Sequence, residues 1–292
     1  MIDNLNSKES SPLVTVYMPT YNRVELLQRA VDSVLQQDYK NVELIVVDDN
    51  STDGTHKYLA KMAKEDSRIR YFVNERNSGA CVSRNKAIFA ANGEFITGLD
   101  DDDYFLPNRI SSFLSSWESI SKDCIALYSN TYVKNDENTL KPDTRVKVCS
   151  KIDLLLANCI GNQLFTLTNS LKAIGGFDEN LLAWQDIECW YRLLDFHNSK
   201  AYLTFDYTYV VDMSHPHERI TTGKTDSILK SYDHICKKYN LSTNKKKILS
   251  LQLIPYTRTK PKLSLIALGL IYSPKKHTLK RTLFMIYKSL IS

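Results

Sequence analysis

Residues 93–109 read GEFITGLDDDDYFLPNR. The segment opens on an apolar, strand-like run, Glu94–Leu99, and meets four consecutive aspartates, Asp100 to Asp103. Phe105, Leu106 and Pro107 follow and start a helix. Four like charges in a row repel, so a strand that ends this way calls for a positive counter-charge. An all-oxygen donor set suits Mg²⁺ or Mn²⁺.

Upstream, the same pattern recurs. Leu13–Met18 is β-rich and runs into the turn Pro19-Thr20-Tyr21-Asn22. Val24–Gln36 has apolar residues at helical spacing. Val42–Val47 is an apolar strand that ends in Asp48-Asp49-Asn50-Ser51, and Thr52 or Asp53 caps a helix reaching about Lys64. Ile69–Val73 is a third strand, and Gly79 opens a helix through Ala91. Regular alternation of strand and helix predicts an α/β domain with a Rossmann-like, mainly parallel sheet flanked by helices. In such sheets ligands collect beyond the carboxyl ends of the strands. The polar clusters after the first, second and fourth strands therefore converge on one site.

Downstream, Pro107–Ser121 reads as a helix, Ile125–Val133 as a strand and the polar stretch Lys134–Val148 as a loop. Lys151–Ala157 is helical and Gln163–Thr168 a strand. The turn Gly175-Gly176-Phe177-Asp178 precedes Leu182–Leu194, where Ile187, Trp190, Tyr191 and Leu194 form one helical stripe. Lys200–Asp206 and Tyr207–Met213 read as two strands, and a helix ends near Asn240 after a polar segment, 215–221.

Composition narrows the function. The 292 residues carry a net charge of +5. Residues 234–292 hold 13 Lys and Arg and no acid, leaving 25 basic against 33 acidic residues in 1–233, a net of −8. An acidic body excludes a nucleic-acid binder, whose basic patch lies on the folded domain. Six scattered cysteines without a CxxC pair read as reduced thiols of a cytosolic protein. Neither a Walker loop nor GxGxxG is present, which argues against dinucleotide cofactors. The segment after Met18 lacks the glycines that a nucleotidyltransferase loop would need.

Five stretches carry a resemblance: VTVYMPTYNR (14–23), VELIVVDDNSTDGT (42–55), NSGACVSRNKAI (77–88), GEFITGLDDDD (93–103) and GGFDENLLAWQDIECWYRL (175–193). Their order and spacing resemble family 2 glycosyltransferases, inverting enzymes with the GT-A fold. The WQD variant and the later HPHERIT stretch are similar to bacterial enzymes that build O-antigen or capsule units on a lipid carrier. The resemblance implies a UDP-sugar donor, UDP-glucose or UDP-galactose favoured, and a lipid-diphosphate-linked sugar acceptor. It makes Asp102 the metal-facing carboxylate for Mn²⁺ or Mg²⁺, with His215 (favoured over His217) closing on the ion. Asp100 and Asp101 then lie near the ribose and diphosphate, Asp49 at the base edge, and Pro19, Thr20 and Tyr21 beneath the base. Arg84 approaches the diphosphate or is an exposed helix arginine. Asp186 becomes the catalytic base, beside Gln185 where relatives commonly carry Glu, and Glu188 is the lesser alternative. Trp184 stacks on a sugar or packs in the core; Arg219 meets a diphosphate of donor or acceptor. Asp103 caps the following turn. A non-catalytic sugar-nucleotide-binding subunit is the rival reading.

The expected organisation is a disordered lead-in at 1–12, a GT-A domain at 13–240 with its nucleotide-sugar half at about 13–110, and a basic helical tail at 241–292. Leu263–Pro274 is uncharged but too short to span a bilayer. Leu279, Leu283, Ile286 and Leu290 share a helical face apart from Lys280, Arg281 and Lys288. That pattern is an interfacial helix on the inner face of the cytoplasmic membrane, or a helix packed on the domain or a partner subunit. A homo-oligomer is left open.

Overall fold

A computed structural model describes residues 11–136, 139–216, 225–257 and 263–272. Strands β1 (Val14–Thr20), β2 (Val42–Asp48), β3 (Ile69–Val73) and β4 (Phe95–Gly98) alternate with helices α1 (Val24–Leu35), α2 (Thr55–Glu65) and α3 (Ala80–Ala90). The hairpin-like β5 (Tyr104–Phe105) leads to α4 (Arg109–Glu118) and the long β6 (Cys124–Asp136). Then come β7 (Thr139–Asp143), β8 (Val148–Cys149), α5 (Lys151–Leu156), β9 (Phe165–Leu167), α6 (Thr168–Ala173), α7 (Gln185–Phe196) and β10 (Lys200–Asp212). The described chain ends in α8 (Thr225–Lys238), α9 (Thr243–Ser250), α10 (Ile254–Thr257) and α11 (Leu263–Tyr272).

One sheet runs β3-β2-β1-β4-β9-β6-β10-β5. The first four strands pair in parallel, as do β6 and β10, while β9 joins the two parallel blocks antiparallel to both β4 and β6. The sheet is thus mixed, with its longest ladders parallel. Alternation along β1 sorts the core: Val14, Val16 and Met18 face one layer with Leu27 and Val31 of α1 and Phe113 of α4, while Tyr17 faces the other with Ala87 of α3 and Trp190 of α7. Both faces are covered, as a parallel sheet requires.

Four local readings change. Residues 134–143, expected as loop, extend β6 and fold back as β7, which is exposed throughout and therefore lacks the apolar alternation of a core strand. The two strands expected at 200–213 are one, bulged between Leu203 and Tyr207 where Phe205 takes φ +68°. Helix α7 starts at Gln185 because Trp184 is left-handed, φ +57°. Gly54, φ +101°, occupies the N-cap of α2, and the Asp53 carboxylate accepts from the Thr55 and Val24 amides beside it. All six cysteines are free thiols and five are buried.

Residues beyond 240 enter the core as well. Ile248, Leu249, Leu251 and Ile254 are buried in the same cluster as Trp190, and Leu265 and Leu268 of α11 pack against it. The amphipathic face expected at 279–290 and the lead-in at 1–10 lie outside the described residues. Among the described residues, no helix is long and apolar enough to cross a membrane.

Candidate active site

A cavity of about 770 Å³ opens at the carboxyl ends of β1, β2 and β4. Pro19, Thr20, Tyr21, Arg23, Asp49, Arg84, Asp100, Asp101 and Asp102 line it from the first half of the chain. Arg145, Asn158, Gly161, Asn162, Trp184, Gln185 and Asp186 line it from the second. The three expected clusters and the expected base therefore share one space.

The four aspartates have four different environments. Asp100 accepts from Arg84 (2.9 Å), Asn162 (2.9 Å) and Gln163 (3.1 Å). Asp101 accepts from the Thr20 hydroxyl (2.8 Å) and Arg23 (3.1 Å). Burial and the neighbouring Asp102 charge nonetheless push its carboxyl up to about 7, against the pull of Arg23. Asp102 meets Arg23 at 3.2 Å and lies 3.6 Å from His215 Nε2. Asp103 does not cap a turn. It is fully buried and accepts from the Tyr209 hydroxyl (2.8 Å), Asn162 (3.1 Å) and the Asp212 amide (3.0 Å), so it ties the acidic loop to β10.

Arg84 is not an exposed helix residue. It is about nine-tenths buried, lies over the Phe177 ring at 5.2 Å, and spans the Asp100 carboxylate and the Gln185 side-chain Oε1, each at 2.9 Å. Burial opposes its charge, but the charge and hydrogen bond of Asp100, together with Cys81 and Tyr17, more than offset that and raise its pKa. Arg84 thereby joins the acidic loop to the first turn of α7. A neutral Gln185 accepts from Arg84 there without adding charge beside Asp186. Asp186 is held by Asn158 (2.6 Å) and the Ile187 amide (2.9 Å), and burial raises its carboxyl above the ordinary aspartate value. Glu188 does not line the cavity. Arg192, Lys238 and Tyr239 surround its fully buried carboxylate and fasten α7 to α8.

Asp49 faces the cavity and also anchors the start of α3, accepting from the Ser78 and Gly79 amides (2.9 and 2.7 Å) and from Asn74 (2.8 Å). Tyr21 is 43% exposed at the rim, leaving a ring face open for stacking. Trp184 is buried on the cavity wall. His217 and Arg219 lie outside the described residues.

Several residues went unread in the sequence. Arg23 closes the quoted TYNR stretch and its guanidinium pairs with two of the four aspartates, Asp101 and Asp102. The segment Asn158–Gln163, NCIGNQ, supplies amides to Asp186, Asp100 and Asp103. Its only outward signal was three amide residues between a helix and a strand. Gly98 is required by close approach: a Cβ there would sit 1.9 Å from Gln163 Oε1 and 2.4 Å from the Tyr17 ring.

Among the described residues, no group of three or more His, Cys, Asp and Glu is gathered as a metal cage. Asp102 and His215 are nevertheless adjacent, and a carboxylate with an imidazole suits Mn²⁺ when a diphosphate supplies further oxygens. The residues present fit a divalent ion held jointly with substrate.

Comparison with known proteins agrees with this geometry. The family model described as Glycosyl transferase family 2 matches residues 15–174. A putative colanic acid biosynthesis glycosyl transferase, WcaA, of Escherichia coli K12 is 38% identical over 219 residues, 74% of this chain and 77% of that protein. A GalNAc(5)-diNAcBac-PP-undecaprenol beta-1,3-glucosyltransferase of Campylobacter jejuni is 32% identical over 177 residues, 58% of this chain and 55% of that protein. Among solved structures, S. aureus TarS 1-349 in complex with UDP-GlcNAc superposes with a TM-score of 0.67 at 18% identity, covering 94% of this chain and 88% of that one. The mannosyltransferase PcManGT of Pyrobaculum calidifontis, in complex with GDP-Man and Mn²⁺, gives 0.55 at 17% identity, with 97% and 87% covered. These two share the GT-A-like fold.

Proposed function

The chain belongs to glycosyl transferase family 2, and from that membership we propose that it transfers a hexose from a UDP-sugar, UDP-glucose or UDP-galactose, to a sugar carried on a lipid diphosphate, with inversion. The observation that carries this reading is the Arg84 bridge. It brings the acidic loop and Asp186, the leaving-group side and the base side, into one cavity.

The mechanism follows from what each group can do. Pro19, Thr20 and Tyr21 form a floor for the base, with Asp49 at its edge. Arg84 and Arg23 carry positive charge toward the donor diphosphate, where negative charge grows as the glycosidic oxygen departs. Asp102 and His215 would hold Mn²⁺ or Mg²⁺, which supplies Lewis-acid stabilisation of that charge. On the opposite side, the acceptor hydroxyl oxygen attacks the anomeric carbon and the bond to the diphosphate breaks. The Asp186 carboxylate takes the hydroxyl proton, and Asn158 keeps it oriented. One carboxylate base suffices, because attack and departure are in line. The undecaprenol-linked acceptor and glucosyl transfer in the name of the Campylobacter jejuni relative support the substrate classes.

Such an acceptor places the protein at the inner face of the cytoplasmic membrane, with residues 273–292 as the contact. Liposome flotation of a chain truncated after Tyr272 tests this, since truncation at 242 would strip Ile248, Leu249, Leu251 and Ile254 from the core. Undiminished flotation refutes the contact. For the reaction, the full chain is incubated with each UDP-hexose and a short-chain lipid-diphosphate sugar, with Mn²⁺ or with chelator. Mass and anomeric NMR should show one added hexose of inverted configuration, lost with chelator. A product of retained configuration overturns the proposal.

A further inference from the structure

Among the described residues, three arginines line the cavity: Arg23, Arg84 and Arg145. The first two sit on the donor wall, paired with Asp101, Asp102 and Asp100. Arg145 lies on the other wall. Its side chain is 11% exposed, its ion-pair partner Asp143 (2.9 Å) is 49% exposed at the surface, and its amide is held by the Asn130 side chain at 2.8 Å. The guanidinium is laid against Gly161, whose φ of +102° leaves that face without a side chain; a Cβ there would stand 3.5 Å from Arg145 Nη2. Nη1 reaches the Asn158 carbonyl at 3.5 Å, and the Asn158 side chain holds Asp186. A cation held by the fold thus lines the same cavity as Asp186 and is linked to it through Asn158.

We propose that Arg145 recognises an oxyanion of the acceptor, either the diphosphate that links the acceptor sugar to its carrier or a carboxylate on that sugar. The inference rests on the transferase reading above and adds what the acceptor must carry. A guanidinium matches phosphate and carboxylate by paired, charge-assisted hydrogen bonds, which a lysine reproduces poorly. The ion pair with half-exposed Asp143 is a surface pair, which is worth little, so exchanging it for a bound oxyanion costs little.

The test compares native chain, Arg145→Gln and Arg145→Lys with three acceptors of one sugar: an alkyl diphosphate-linked form, a neutral alkyl glycoside and an alkyl glycoside of the uronate. Binding of each acceptor is measured by calorimetry alongside turnover, and UDP-sugar binding reports integrity of the fold. The expected result is a loss of about 10- to 100-fold in affinity, and a rise of the same size in acceptor KM, for the anionic form, with the neutral glycoside and UDP-sugar unchanged. Loss on the diphosphate form alone names the carrier link, and loss on the uronate alone names the sugar. Equal loss on all three acceptors overturns the proposal and makes Arg145 a support for Asn158. No loss on any also overturns it. Arg145-dependent anion binding without turnover in the native chain sinks the transferase reading and leaves this assignment standing.

Discussion

Replacing Asn158 by alanine isolates how the candidate base is held. Its amide donates to Asp186 at 2.6 Å, one of two hydrogen bonds to that carboxylate among the described residues, the other coming from the Ile187 amide. A hydrogen bond to a charged group contributes about 1.5–3 kcal/mol. Removing it destabilises the ionised form, which burial already disfavours. At 1.36 kcal/mol per pH unit, the acid limb of kcat/KM should rise by about one to two units. The sign is definite: a base must be deprotonated, so a raised pKa removes activity from the acid side and spares the alkaline plateau. Because Asp186 is raised already, the native limb should itself lie above the ordinary aspartate range. The assay is UDP release between pH 4.5 and about 9 in native and variant protein, with UDP-sugar affinity as control. A limb that stays in place while the plateau falls at all pH values would refute the reasoning and give Asn158 a role in acceptor binding.

Other expectations follow from the same contacts. Glu188→Gln should cost about 2–4 kcal/mol in urea unfolding, toward the low side for a buried pair because Lys238 is partly exposed; UDP-sugar affinity should hold, and a change below about 0.5 kcal/mol would contradict the fastening role. Gly98→Ala should destabilise by about 1–3 kcal/mol and lower activity, since Tyr17 and Gln163 must move and Gln163 holds Asp100. Burial works against the Glu43 charge, but bonds from Thr15, Asn92, Arg70 and Gly93 more than offset it and lower its carboxyl. A depressed folded value contributes stability that is complete above the ordinary glutamate range and is lost as pH falls through the folded value. Glu43→Gln should therefore flatten the acid slope of stability, and an unchanged slope would count against it.

The first half of the chain was legible because its strands announce their own ends: an apolar run of period-two or continuous character stops at a polar cluster, as at Val47–Asp48 and Leu99–Asp100. Topology then gathers the clusters without further information. The second half hid its logic in tertiary contacts. Asn158, Asn162 and Gln163 have no periodicity, and nothing local says that their amides meet Asp186, Asp100 and Asp103. Asp103 reads as a structural residue in the sequence, but its partners do not, because Tyr209 and Asn162, distant in sequence, close over it. Phe205 breaks β10 through a left-handed backbone that no turn residue signals. Arg145 sat in what read as a loop, since an exposed β7 carries no apolar face.

The claim on which the account stands is that Asp186 takes the acceptor proton. Single-turnover transfer by Asp186→Asn, with UDP-sugar bound to saturation, tests it most directly. Asparagine keeps the shape and loses the basic oxygen, so transfer should fall by about 10²- to 10⁴-fold while UDP-sugar affinity stays within a factor of about three. Transfer at the native rate would contradict the account.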